Sequence, residues 1–94
     1  MYHRKMDDVY EALADSTRRL MLDELAERKE QTFYELYARL VMKHQIKVSR
    51  QAINKHLSVL EKATLTTSVR RGKYKLICFN DAPLRRLGER WVKG

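Results

Sequence analysis

The sequence is poor in the residues that break, staple or anchor a chain. Of its 94 residues one is cysteine, one proline and three glycine. A lone Cys78 cannot close an intramolecular disulfide, so reducing, cytoplasmic surroundings are expected. The three histidines, His3, His44 and His56, are scattered, whereas a structural zinc centre wants four ligands at tight spacings. No metal site and no cofactor are therefore expected. No apolar run approaches the ~20 residues that a membrane-spanning helix needs. Met1-Tyr2-His3-Arg4-Lys5 leads into acidic residues and not into an apolar stretch, so no secretory signal is expected. Glycine-rich phosphate loops, nucleophile elbows and paired Cys/His groups are all missing, and Asp7-Asp8 reads as the acidic start of a helix. No enzymatic activity is expected.

Acidic residues are scarce in one stretch in particular. Residues 1–42 hold seven Lys/Arg against nine Asp/Glu, and residues 76–94 hold four against two. Between them, Lys43, Lys47, Arg50, Lys55, Lys62, Arg70, Arg71, Lys73 and Lys75 face Glu61 alone. The whole excess behind the net charge of +8 thus sits in the middle third. The plain reading is a solvated basic face; the functional one is a surface that meets a polyanion. A hydrophobic content of 44% excludes a disordered tail, and the length allows one domain, residues 1–94. So short a chain buries a thin core.

With few breakers, most of the chain is expected to be helical. Met6, Val9, Tyr10 and Leu13 recur at helical spacing and predict a helix over 6–14. Asp15-Ser16-Thr17 offers N-caps for a second, over 17–28, with Leu20-Met21, Leu25 and Ala26 as its apolar stripe, supplemented by Leu22. Thr32 and Glu35 have capping-box spacing and open a third helix carrying Phe33, Leu36, Leu40 and Val41. A polar stretch, 43–48, follows. Ser49 is a candidate N-cap for a helix over 50–62, where Ile53, Leu57 and Leu60 fall within one narrow arc. Gln51, Lys55, Ser58 and Lys62 lie opposite, with Asn54 at the edge. The period then changes: 65–69 and 74–79 read as strands of a β-hairpin with a basic tip, where Gly72 permits a positive φ. Pro83 stands in the first turn of a last helix, running to about residue 93, with Leu84, Leu87 and Trp91 on one side. The expected fold is mostly α with a β-hairpin wing, a winged helix-turn-helix.

Three blocks resemble the ArsR family of winged-helix regulators. Ala12-Leu13-Ala14-Asp15-Ser16-Thr17-Arg18-Arg19-Leu20 is similar to the family's opening block, with Ser16 where proline is usual. The stretch Ser49-Arg50-Gln51-Ala52-Ile53-Asn54-Lys55-His56-Leu57, continuing to Ala63, resembles its recognition helix. Arg70-Arg71-Gly72-Lys73-Tyr74-Lys75-Leu76 resembles its wing, with the tyrosine early. The resemblance spans about Val9 to Phe79. Three departures stand out. Residues 41–48 separate Leu40 from Ser49 by about six more than the family's tight turn. Ala63-Thr64-Leu65 lacks the glycine that usually caps the recognition helix. The helix before the recognition helix has none of the cysteines of the metal-sensing members.

For reading double-stranded DNA, Gln51 and Asn54 carry side-chain amides that match adenine's donor–acceptor pair in the major groove. Arg50 suits a guanine or a phosphate, and Ser49, Lys55 and Ser58 complete the outer face. Arg70, Arg71 and Lys73 on the wing would reach phosphates or the minor groove. His56, nearer the apolar side, suits packing or a phosphate contact. Met6, Tyr10, Leu13, Leu84, Leu87 and Trp91 exceed what short helices can cover. They are expected to form a dimer interface, as the resemblance also implies, unless they complete the chain's own core. Two-fold pairing then calls for a palindromic operator. The expected function is a sequence-specific regulator, a repressor, with an effector left open. The alternative is a winged-helix module for protein interaction or RNA binding.

Overall fold

The computed structural model describes the backbone of residues 2–91 and the side chains of residues 6–89. Helix α1 (Tyr2–Leu13) is followed by α2 (Ser16–Glu27), strand β1 (Glu30–Thr32), α3 (Phe33–His44), α4 (Arg50–Lys62), β2 (Thr66–Arg71), β3 (Tyr74–Phe79) and α5 (Ala82–Trp91). The five helices and the hairpin stand where the residue periodicity puts them. Helix α1 begins four residues before the expected start, and α5 is described only to Trp91.

Local chemistry accounts for the helix starts. Asp15 caps α2, its carboxylate accepting from the amides of Thr17 (2.8 Å) and Arg18 (3.1 Å). Burial alone would raise the Asp15 pKa, but these amide hydrogens, together with the nearby His56 and the Arg18 charge, outweigh it and hold the carboxyl below its ordinary value. Thr32 and Glu35 form the full capping box, Thr32 Oγ1 accepting from Glu35 N while Glu35 accepts from Thr32 N. Ser49 caps α4 by accepting from Ala52 N at 3.1 Å.

The core is built from the inward stripes of these helices. Val9 and Ala12 of α1, Met21, Leu22 and Leu25 of α2, Leu36 and Leu40 of α3, and Ile53, Leu57 and Leu60 of α4 are buried with Ala63, Leu65 and Ile77. Two expected core positions turn outward, Ala26 and Val41. In α2 the inward place is taken by Glu24 instead, only 2% exposed.

Strand β1 escaped the periodicity altogether. It pairs with β3 (Gln31 opposite Ile77), and the sheet order is β1-β3-β2, antiparallel throughout. Gln31 reads as a loop residue but is buried and fully bonded. Its Nε2 donates to the carbonyls of Glu24 and Arg28, both at 2.9 Å, and its Oε1 accepts from Arg39. One amide thus joins the end of α2, the sheet and α3. Among the described residues, Thr66 Oγ1 is buried with no hydrogen-bond partner.

The eight residues 41–48 are absorbed in two ways. Helix α3 runs on to His44, and Gln45 then turns the chain with φ +55°. The end of α3 is anchored to the buried Glu24, whose Oε2 accepts from His44 Nε2 (2.8 Å) and pairs with Lys43 Nζ (3.0 Å). Burial pushes the Glu24 carboxyl up, but the bonds from His44 and Lys43 outweigh it and hold it below its ordinary value. Past the turn, Ile46 and Val48 pack against the core, and the Tyr37 hydroxyl donates to the Val48 carbonyl at 3.0 Å.

Helix α4 ends without glycine. The Leu65 amide donates to the Leu60 carbonyl (3.0 Å) and the Thr64 amide to that of Glu61 (2.9 Å), the paired bonds of a Schellman motif. The left-handed residue at its centre is Thr64, φ +57°, a position that costs a β-branched side chain strain.

Candidate nucleic-acid interface

Helix α4 has one face fixed and one face open. Ile53, Leu57 and Leu60 bind it to the core, so its outward side chains are held in a defined direction. Ser49, Arg50, Gln51, Asn54, Lys55 and Ser58 are all exposed. Gln51 and Asn54 stand one turn apart and present their amides outward. Ser49 spends its acceptor on the cap, but a hydroxyl that accepts still has a proton to donate. Ser58 donates to the Asn54 carbonyl at 3.2 Å, so its hydroxyl is turned back onto the helix. His56 is half-buried: its Nδ1 lies 3.0 Å from Arg18 Nη1. A guanidinium can only donate, so Nδ1 accepts, which makes the contact intramolecular packing.

The wing separates the cations that the sequence groups together. Gly72 and Lys73 form a two-residue loop between Arg71 and Tyr74, and the positive φ of Gly72 (+62°) is the one a tight hairpin needs at its first loop position. Residues directly opposite share a sheet face, and faces alternate along a strand. Arg70 pairs with Lys75, two positions from the buried Ile77, so both lie on the face that covers the core and meets α4. Arg71 pairs with Tyr74 on the other face, where its guanidinium binds Glu30 at 3.1 Å. Arg70, Lys73 and Lys75 are exposed, and Lys75 joins the candidates that the sequence singled out. The alternation of the strand was the signal that could have found it.

Helix α3 adds a residue that sequence reasoning missed. Tyr34 is 68% exposed, and the Arg50 guanidinium carbon lies 5.3 Å from its ring centroid. Of the aromatic residues on α3 only Phe33 falls on the expected apolar stripe, and no spacing rule links Tyr34 to Arg50.

Of the expected dimer residues, Leu13, Leu84 and Leu87 are partly buried against the chain's own core and partly open. Met6 is half-buried and Tyr10 is 40% exposed. The Trp91 side chain lies outside the described residues. Among the described residues no group of three or more His, Cys, Asp or Glu could hold a metal ion. Burial and the charge of Glu30 push the Cys78 thiol up, against the thiolate a metal ligand must be. No helix among the described residues is long and apolar enough to cross a membrane.

Comparison with known proteins agrees with this layout. A helix-turn-helix domain family matches residues 13–69, from the end of α1 into β2. The HTH-type transcriptional regulator YuzN of Bacillus subtilis (strain 168) is 55% identical over 87 residues, covering 93% of this chain and 95% of its own. Among solved structures, an ArsR-like transcriptional regulator from Rhodococcus sp. RHA1 is 32% identical, with a TM-score of 0.74 over 98% of this chain and 87% of that one. NolR from Sinorhizobium fredii, 21% identical with a TM-score of 0.70 over 99% of this chain and 90% of its own, shares the fold. YuzN and the Rhodococcus protein are both described as transcriptional regulators, a class that is not enzymatic. The chain belongs to the ArsR-like winged helix-turn-helix family of DNA-binding transcriptional regulators.

Proposed function

We propose that the chain acts in the cytoplasm as a homodimeric repressor that recognises a palindromic operator. The observation that carries this reading is the outward face of α4, where the Gln51 and Asn54 amides stand on a helix whose other side is locked into the core. In this reading Gln51 and Asn54 pair with base edges in the major groove. Ser49, Arg50 and Lys55 bind phosphates, and Ser58 follows the groove wall. Arg70, Lys73 and Lys75 extend the contact from the wing. Arg71 contributes once it leaves Glu30.

The chain forms one winged-helix domain, with α1 and α5 as its dimerisation helices. Met6, Tyr10, Leu13, Leu84, Leu87 and Trp91 pair two copies and place two α4 helices about 34 Å apart, one turn of DNA. An operator that overlaps a promoter would be blocked by this occupancy. Release by an effector is compatible with this scheme, and its identity lies outside it.

Fluorescence anisotropy against DNA from upstream of the chain's own gene, beside a scrambled duplex of equal length, tests the reading. Tighter binding to the native duplex, with log affinity falling steeply against log salt, supports it. Equal, weak binding to these and to other genomic duplexes overturns it. Sedimentation equilibrium tests the pairing: a two-chain mass is expected, and Tyr10→Arg is expected to weaken it.

A further inference from the structure

The first residue of α4 is not simply a free cation. Arg50 is exposed, and its guanidinium carbon lies 5.3 Å from the ring centroid of Tyr34 and 5.9 Å from that of Tyr37. Both distances fall within cation–π range. Tyr37 is itself fixed, by its hydroxyl bond to the Val48 carbonyl and by stacking with Phe33 (centroids 6.0 Å apart, planes at 10°). Tyr34 leaves 68% of its surface in water, and its neighbour Arg50 gives that exposure a use. Among the described residues Arg50 has no carboxylate in salt-bridge range, so its charge is not neutralised. With no ion pair to occupy them, its N–H donors remain for a phosphate, which accepts two of them side by side.

We propose that Tyr34 is a positioning residue for DNA binding, which holds Arg50 against α3 so that its guanidinium meets a backbone phosphate instead of a base edge. This rests on the reading of α4 as the DNA-contacting helix. The ring restricts the long arginine side chain before binding, so less conformational freedom is lost on docking. It also gives the two neighbours different tasks: Gln51 and Asn54 read bases, while Arg50 sets the register of the helix on the strand. Tyr34 thereby extends the DNA-binding machinery onto the preceding helix without itself carrying charge.

The test is a double-mutant cycle by anisotropy on the native and scrambled duplexes, across a salt series, with Arg50→Gln, Tyr34→Leu, Tyr34→Phe and the Arg50→Gln/Tyr34→Leu pair. Arg50→Gln should weaken both duplexes by the same factor and flatten the log–log salt slope by about 1. Tyr34→Leu should weaken binding about threefold, the size of an exposed cation–π contact, with an unchanged melting temperature. Tyr34→Phe should bind as the wild type does. The double variant should bind no more weakly than Arg50→Gln alone. Additive losses, or a loss with Tyr34→Phe equal to that with Tyr34→Leu, would overturn the positioning role. So would an Arg50→Gln loss confined to the native duplex, which would make Arg50 a base reader. If the wild type binds and Tyr34→Leu matches it, this proposal alone fails. A wild type that binds no duplex removes the DNA reading and this proposal with it.

Discussion

The helix-turn-helix half and the hairpin carry comparable positive charge but hold it differently. Around α3 and α4 every turn is tied inward. Gln31 bonds α2 and α3, Glu24 grips the end of α3, Tyr37 holds the loop at Val48, and three leucine or isoleucine side chains seat α4. In the hairpin, β2 is exposed from Thr67 to Arg71, and among the described residues its side chains are tied only by the exposed Arg71–Glu30 ion pair to β1 and a 3.5 Å bond from Ser68 to Glu61 of α4. A base edge tolerates little misplacement, whereas a phosphate attracts a cation over a range of positions. In the proposed reading, the helix seated most firmly on the core carries the base-reading amides, and the more exposed hairpin carries charge that needs only to be near.

The comparison can be broken at several strengths. Leu60→Ala, at a fully buried position of α4, should cost about 2–5 kcal/mol by urea unfolding. Val69→Ala, at a 39%-exposed position of the hairpin, should cost under about 1 kcal/mol. Equal losses would show the hairpin to be as tightly integrated as the helices.

Next in size is the anchor at Glu24. Glu24→Ala should cost about 1–3 kcal/mol, since it removes two charge-assisted bonds at a buried site. The folded chain holds this carboxyl below its ordinary value of 4.5. Its contribution is therefore fully present above pH 4.5 and is lost as pH falls through the lower folded value. The stability difference between the wild type and Glu24→Gln should shrink over that acid range, and a difference that persists there would refute the anchor's charged character.

The two regions should also differ on DNA. Asn54→Ala should reduce discrimination between operator and scrambled duplex by about 1–3 kcal/mol. Arg70→Ala should instead weaken both duplexes together and lower the salt slope by about 1. The smallest effect is expected at the junction between the halves. Thr64→Gly relieves a left-handed threonine and should raise stability by up to about 1 kcal/mol, read as a higher melting temperature.

What the sequence discloses follows from which forces are periodic. Ile53, Leu57 and Leu60 recur at helical spacing because a helix must bury one stripe, and Thr32 with Glu35 marks a start because a capping box is local. Strand β1 is three residues long and its buried member is a glutamine, so neither period nor hydrophobicity betrays it; its bonds to Glu24, Arg28 and Arg39 and its pairing with Ile77 give Gln31 its place. The length of α3 depends on Glu24, twenty residues before His44. At the candidate site, the outward face of α4 was legible from its wheel. The opposite facing of Arg70 and Arg71 required the register of β2 on β3, and the Tyr34–Arg50 contact required the angle between α3 and α4.

Arg18 joins two of the blocks that carry the family resemblance. It donates to the carbonyls of Ala12 (3.0 Å) and Glu11 (2.9 Å) at the end of α1, and to the His56 ring on α4. In the proposed dimer α1 sets how far apart the two copies sit, and α4 sets where each touches its operator half. One guanidinium is riveted to both. In that dimer a substitution that re-seats α1 would be passed to α4, so that operator spacing and pairing surface would change together.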